Sequence, residues 1–257
     1  MLQSLIPNRS KSVCLEKSNN LFVKTRLLVG KLLKTAKQKS LGQLISLAYS
    51  KTVDYLITLR YRLQYPNVKF GSGVRIQGKF SVKGKGRVEI GDYCVFVSFE
   101  NHSNQIITRN PSAKITIGSY GFFNSTTLSV EGEGKIDIGD HAYFNNPSIK
   151  ATDSSITFKE QCIVSDATLV DTDFHSLTIN RRNPEVQAKT KPIYVEENVW
   201  IGSQSMVLKG VTIGKNSVIG AGTIVRQSVP ANVVVIGNPQ QIVKELDTTV
   251  LPYEFPK

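Results

Sequence analysis

The sequence is short of the residues that most metal and thiol chemistry needs. It holds three histidines and three cysteines in 257 residues. Cys14, Cys94 and Cys162 are odd in number and far apart, which argues for a reducing compartment and against a disulfide framework. No His or Cys ligands recur at a spacing that a zinc site would use, so no metal is expected. No run of 18 apolar residues exists, so no transmembrane helix is expected. The first 20 residues lack an apolar core and a small-residue cleavage site, so no secretory signal is expected and the protein is placed in the cytoplasm. There is no Walker loop and no strand–GxGxxG–helix unit; Lys83-Gly-Lys-Gly-Arg87 reads as a basic turn. A serine nucleophile elbow is also missing.

Acidic residues are scarce in one region only. Net charge is +12, yet residues 1–69 carry 13 Lys/Arg against 2 Asp/Glu, and residues 70–257 carry 19 against 18. The basic character therefore belongs to the N-terminal segment. Within it, 21–38 places Leu21, Leu28, Leu32 and Ala36 on one helical side, and 41–63 makes a second helical pattern that Pro66 ends. Two readings stand: a helical cap, or a helix on an anionic membrane surface with peripheral contact through residues 21–63. Aromatics are not interleaved as in a nucleic-acid module, so no nucleic-acid partner is expected.

What is present is a period. Val195, Ile201, Val207, Ile213, Ile219 and Val225 each lie six residues after the last, and Val199, Ser205, Val211, Ser217 and Thr223 run in the same step. Six fits neither an amphipathic helix nor an isolated strand. It fits a chain wound in short flat segments, a parallel β-helix. Earlier landmarks begin at Val88, Ile115, Ile136 and Ile156, spaced as one coil of three hexads plus short insertions. Gly91, Gly118, Gly139, Gly202, Gly214 and Gly220 follow the aliphatic position, for positive φ or for close packing. Cys94 and Cys162 fall in the slot that small residues fill elsewhere and read as core. The expected domains are a basic helical segment at 1–66, a β-helix at 67–245 and a tail at 246–257. One stretch, 174–192, shows no repeat, and structureless loops of that length are usually functional.

His102 and His141 read as surface or packing residues. His175 differs. It follows Asp171-Thr-Asp173-Phe at the root of the unrepeated loop, where a carboxylate can fix an imidazole tautomer.

The stretch Asn198-Val-Trp-Ile-Gly-Ser203, the run Gly210-Val-Thr-Ile-Gly-Lys-Asn-Ser-Val-Ile-Gly-Ala-Gly-Thr-Ile-Val225, Val229-Pro and Gly237-Asn-Pro resemble the hexapeptide-repeat acyltransferases. Within them the chain is most similar to galactoside/maltose O-acetyltransferases and to capsule and O-antigen acetyltransferases. The motif Asp171-Thr-Asp-Phe-His175 resembles the latter. The resemblance covers about 68–245 and is strong over 139–238. It implies an all-β, left-handed parallel β-helix preceded by a short helical segment, a homotrimer with interfacial active sites, and acetyl-CoA between subunits. Residue by residue, His175 matches the catalytic base. Glu185 matches a loop glutamate that orients it, with Asp173 the competing orienter. Asn145 and Asp153 resemble acceptor-binding positions; as plain residues they read as a left-handed corner and a turn. Trp200, Ser203 and Ala221 match the pantetheine and acetyl end of CoA, with the Ser203 region supplying oxyanion donors. Arg226 and Lys244 fall where CoA phosphates are contacted, although Gln227 and Gln241 stand where basic residues are usual.

The expected function is transfer of acetyl from acetyl-CoA to a sugar hydroxyl of a surface polysaccharide. The alternatives are a serine acetyltransferase-like enzyme and a non-catalytic scaffold. Acceptor pockets are expected from 96–112 and 174–192.

Overall fold

The computed structural model describes residues 41–99, 101–183, 185–250, 253 and 255. The polar stretch 1–20, the helical pattern 21–38 and Cys14 lie outside the described residues. The chain divides into compact units 1–53 and 54–257. Helix α1 spans Leu41–Gln64, over the second helical pattern.

Strands from Val68 onward wind as a parallel solenoid. Among the described residues it has sheets of seven, nine and seven strands, called A, B and C in order of entry from Val68–Phe70, Arg75–Gln77 and Phe80–Gly84. Each strand pairs with the one a full coil later, as Ile136 does with Ile156. Only Gln241–Glu245, at the far edge of sheet B, runs antiparallel.

The six-step ladder visits the sheets in rotation. Val195 pairs with Ile213 on A, Ile201 with Ile219 on B, and Val207 with Val225 on C. All six are 0% exposed. β-Branched side chains suit these two- and three-residue strands, and each buried one contributes about 1.5–3 kcal/mol. The second ladder fills the corners. Its buried hydroxyls have partners: Ser205 Oγ donates to Gly220 O at 3.0 Å and Ser217 Oγ to Pro230 O at 2.7 Å, while Thr223 Oγ1 accepts Gly237 N–H at 3.2 Å. That removes the penalty for polar atoms in the core.

Cys94 and Cys162 are fully buried. Burial pushes their thiols up to about 11 and about 12. The repeat glycines serve packing alone. Positive φ falls on other residues, such as Asn198 and Asn216, whereas a Cβ on Gly91 would meet the backbone carbon of Gly118 at 2.6 Å.

Early coils are less regular for two reasons. Their inner row on sheet B is aromatic, with Phe96, Phe123 and Phe144 in register. The sequence step between the strands Val95–Val97 and Asn104–Thr108 is also longer than in the later coils. Part of the expected loop at 96–112 is thus wall: Asn104–Thr108 pairs along its length with Phe80–Gly84. Beyond Phe158, Ile163–Ser165 and Thr168–Val170 keep the winding, so the long interruption is 171–192.

The end of α1 packs on the first coil. Tyr61 and Tyr65 meet Phe80 edge-on at 5.5 and 6.3 Å, and the Arg62 guanidinium donates to Gly71 O at 2.6 Å. Tyr55, Leu56, Leu59 and Leu63 are exposed. No helix among the described residues is long and apolar enough to cross a membrane, and membrane contact through 21–63 gains no support from them.

Candidate active site

The break in the repeat is a loop tied at its neck. Thr172 and Thr190 form an antiparallel bridge, and Lys191 N–H donates to Asp171 O at 2.9 Å. Asp171 is fully buried. Its carboxylate accepts Thr152 N–H at 2.9 Å and Ser154 N–H at 3.0 Å, in the turn of the coil below. Burial holds its carboxyl above the usual range, and those hydrogen bonds oppose the rise. One buried group thus joins the loop neck to the turn that carries Asp153. Asp153 is exposed, and its Oδ1 accepts Glu133 N–H at 3.1 Å from a further coil down.

Above the neck the chain turns sharply. Phe174 has φ 61°, and His175 N–H donates to Asp173 O at 2.7 Å. The His175 side chain is exposed and, among the described residues, makes no hydrogen bond. It lines an open recess with Phe174, Arg181, Arg182, Asn183 and Val186. Neither proposed orienter's carboxylate hydrogen-bonds the imidazole. Glu185 is exposed, with its N–H on Asn183 Oδ1 at 3.0 Å. The Asp173 carboxylate pairs with Lys209 Nζ. Sequence reasoning missed Lys209: it is 36 residues away and resembles any corner lysine.

The residues expected on the donor side stand elsewhere on the coil. Trp200 is 49% exposed on sheet B, between Ile163 and Val218 in register. It lies in an outward apolar row that runs through Phe122, Tyr143, Ile163, Trp200 and Val218. Ser203 and Ala221 occupy the corner from B to C in successive coils, where Gly222 N–H donates to Ser203 O at 2.8 Å. Ser203 and Ala221 are exposed residues, and their N–H groups make no hydrogen bond among the described residues. Asn145 belongs to this corner too. It lies in the strand Tyr143–Asn145, and its Oδ1 accepts Asn124 Nδ2–H at 2.7 Å. The left-handed residue is Asn146, with φ 58°.

Arg226 follows the last strand of sheet C, with its N–H on Gln240 Oε1 at 2.6 Å. Lys244 is exposed opposite Val234 at the edge of sheet B. Gln227 and Gln241 line one recess beside Gln240. Within one chain, then, Asp153, Asp173, His175 and Arg226 share the corner from C to A, while Asn145, Trp200, Ser203 and Ala221 gather at B and its corner with C. A strand of sheet C separates the two sets; three or four residues at ~3.3 Å each give on the order of 10 Å. His141 is remote, its ring stacked between Tyr120 at 5.1 Å and Phe255 at 4.3 Å. His102 is exposed, and its N–H donates to Phe99 O at 2.8 Å. Among the described residues no three His, Cys, Asp or Glu side chains gather as a metal set.

Residues 192–227 match the model for the bacterial transferase hexapeptide, six repeats. A galactoside O-acetyltransferase of Lactococcus lactis subsp. lactis (strain IL1403) is 44% identical over 78 residues, 30% of this chain and 37% of that protein. Another from Escherichia coli (strain K12) is 45% identical over 75 residues, 29% and 36% of the two chains. The chain thus spans little more than a third of the length of these curated relatives. The solved structure of the polySia specific acetyltransferase NeuO aligns with a TM-score of 0.48 at 21% identity, over 69% of this chain and 85% of that one.

Proposed function

We propose that this chain, a left-handed β-helix of bacterial transferase hexapeptide repeats, is an acetyl-CoA-dependent O-acetyltransferase for a saccharide hydroxyl. The observation that carries the reading is the single long break in the repeat. It extrudes an exposed His175 on a tied neck, while the adjoining wall carries Trp200 and the free amides of Ser203 and Ala221. The matched galactoside O-acetyltransferases supply the reaction class.

His175 is the general base. It takes the acceptor hydroxyl proton as that oxygen attacks the thioester carbonyl, a contribution of ~10²–10⁴-fold. The new C–O bond forms, the C–S bond breaks, and the proton passes from His175 to the CoA sulfur. The amides of Ser203 and Ala221 suit the developing oxyanion. Trp200 lies along pantetheine, Arg226 and Lys244 serve the phosphates, and Asn145 and Asp153 hold the acceptor. Meeting of donor and acceptor in one cleft makes the gain largely positional, with no acyl-enzyme.

The two residue sets flank sheet C within one chain, so the reading includes a homotrimer whose sites lie between copies. The outward row Phe122, Tyr143, Ile163 and Trp200 supports a covered face there. The buried, unpaired Cys94 and Cys162 suit the cytoplasm. The test has two arms. Acetyl-CoA turnover is measured with a panel of saccharides and with L-serine; the reading expects saccharide-dependent release of CoA, and turnover on L-serine alone, or none at all, contradicts it. His175→Ala and Trp200→Ala copies are then mixed under subunit exchange. Recovered activity is expected; none from a mixed trimer places each site within one chain.

A further inference from the structure

Asp173 and Lys209 come from different parts of the molecule. Asp173 belongs to the loop root, two residues before His175. Lys209 belongs to the wall, in a corner fixed by Leu208 N–H on Val225 O and Gly210 N–H on Pro192 O, both 3.0 Å. Their side chains are each only 19% exposed, and Lys209 Nζ holds Asp173 Oδ1. The second oxygen, Oδ2, is buried and has no hydrogen-bond partner. Buried carboxylate oxygens are rarely left without a donor, because the lost hydration is costly. The turn through Phe174 already keeps His175 beside Asp173, through the 2.7 Å hydrogen bond from His175 N–H to Asp173 O. An exposed imidazole with no hydrogen-bond partner among the described residues lies two residues along the chain from an orphaned acceptor.

We propose that Lys209 is a positioning residue: it pins Asp173 to the wall so that Oδ2 accepts the imidazole N–H of His175 when the acceptor is bound. This rests on the reading of His175 as the base. With one ring nitrogen bonded to Asp173, the other points its lone pair at the acceptor hydroxyl, and the imidazolium that forms is stabilised by the carboxylate. Lys209 restrains the anion and partly offsets its charge. The other charged groups at this corner are Arg181 and Arg182 in the recess, Glu185 farther along the loop, Asp171, Lys189 and Lys191 at the neck, Asp153 in the coil below, and Arg226 after the last strand of sheet C. None is altered in the test.

The test is the pH dependence of kcat/KM for wild type, Lys209→Met, Lys209→Arg, Asp173→Asn and the Asp173→Asn/Lys209→Met pair. Acetyl-CoA binding and melting are recorded for each. Removing the cation leaves the anion to favour imidazolium, so the acid limb of Lys209→Met moves up by roughly 0.5–1 pH unit. Asp173→Asn leaves the cation alone, so its limb moves down by a similar amount. The pair returns the limb to near wild type while kcat stays ~10–100-fold low, and acetyl-CoA affinity stays within about threefold throughout. Lys209→Arg keeps the limb in place. A merely structural pair would lower rates without moving limbs in opposite directions. Limbs that stay put, or move together, overturn the proposal when His175→Ala is inactive. An active His175→Ala overturns the reading beneath it instead. If Lys209→Met does not fold, Asp173→Asn decides: a limb at or above the wild-type position overturns the proposal.

Discussion

Between Ile193 and Val225 every inward side chain is 0–1% exposed; among the described residues of 174–188 only Ser176 is buried. The wall is held by burial repeated at every coil. The loop is held by three short devices at its base: the Thr172–Thr190 bridge, the buried Asp171 carboxylate and the Asp173–Lys209 pair. Its outer part presents Leu177 at 80% and Ile179 at 101% exposure. The difference separates two jobs. Rigid elements can hold the donor in a fixed place, and a segment fixed only at its root can carry a base toward an acceptor and admit that acceptor from solvent.

The largest effect should come from breaking the wall. Ile213→Ala removes a fully buried side chain between coils and should cost about 2–5 kcal/mol, read by urea unfolding. A cost under about 0.5 kcal/mol would mean that the coils are not stabilised by this ladder. Smaller is the loss from Trp200→Ala, about tenfold in KM for acetyl-CoA, near 1.4 kcal/mol, with melting little changed. An unaltered KM would remove Trp200 from the donor site.

Asp171 sharpens the contrast at the neck. Its carboxyl lies above the ordinary 3.8 in the folded chain, because of burial first. As pH rises past 3.8 the unfolded chain therefore ionises before the folded one. The stability that Asp171 contributes is full below 3.8 and is lost as pH rises through the folded value. Unfolding free energy of Asp171→Asn should lack this fall, so the gap between it and wild type should change just above pH 3.8 and then level off. A constant gap from pH 3.5 to 7 would contradict the assignment. Least of all should be Ile179→Ser, within about 0.5 kcal/mol of wild type for a lone exposed loop residue. A larger cost would show that the loop is packed rather than tied.

Much of this architecture is written in the sequence, and the reasons differ by place. Val195 to Val225 is legible because one residue type faces inward at every sixth position. The coils near Val88 and Ile115 are less so, since Phe96 and Phe123 replace the aliphatic residue and the 98–103 segment breaks the count. His175 is legible because it stands where the repeat fails. Lys209 is not, since a lysine at a hexad corner looks solvated until winding brings a carboxylate beside it. Asp171 is hidden for the same reason: its amide partners, Thr152 and Ser154, belong to the coil below. Asn145 shows the limit of corner rules, because the left-handed position is its neighbour Asn146.

The central claim is that the base on the loop serves a donor held by the wall. Labelled acetyl-CoA is mixed with His175→Ala and with wild type, each with an accepted saccharide, and transfer is followed alongside donor binding. The account predicts donor binding within about threefold and transfer lower by ~10²–10⁴-fold. Near-normal transfer by His175→Ala would contradict it.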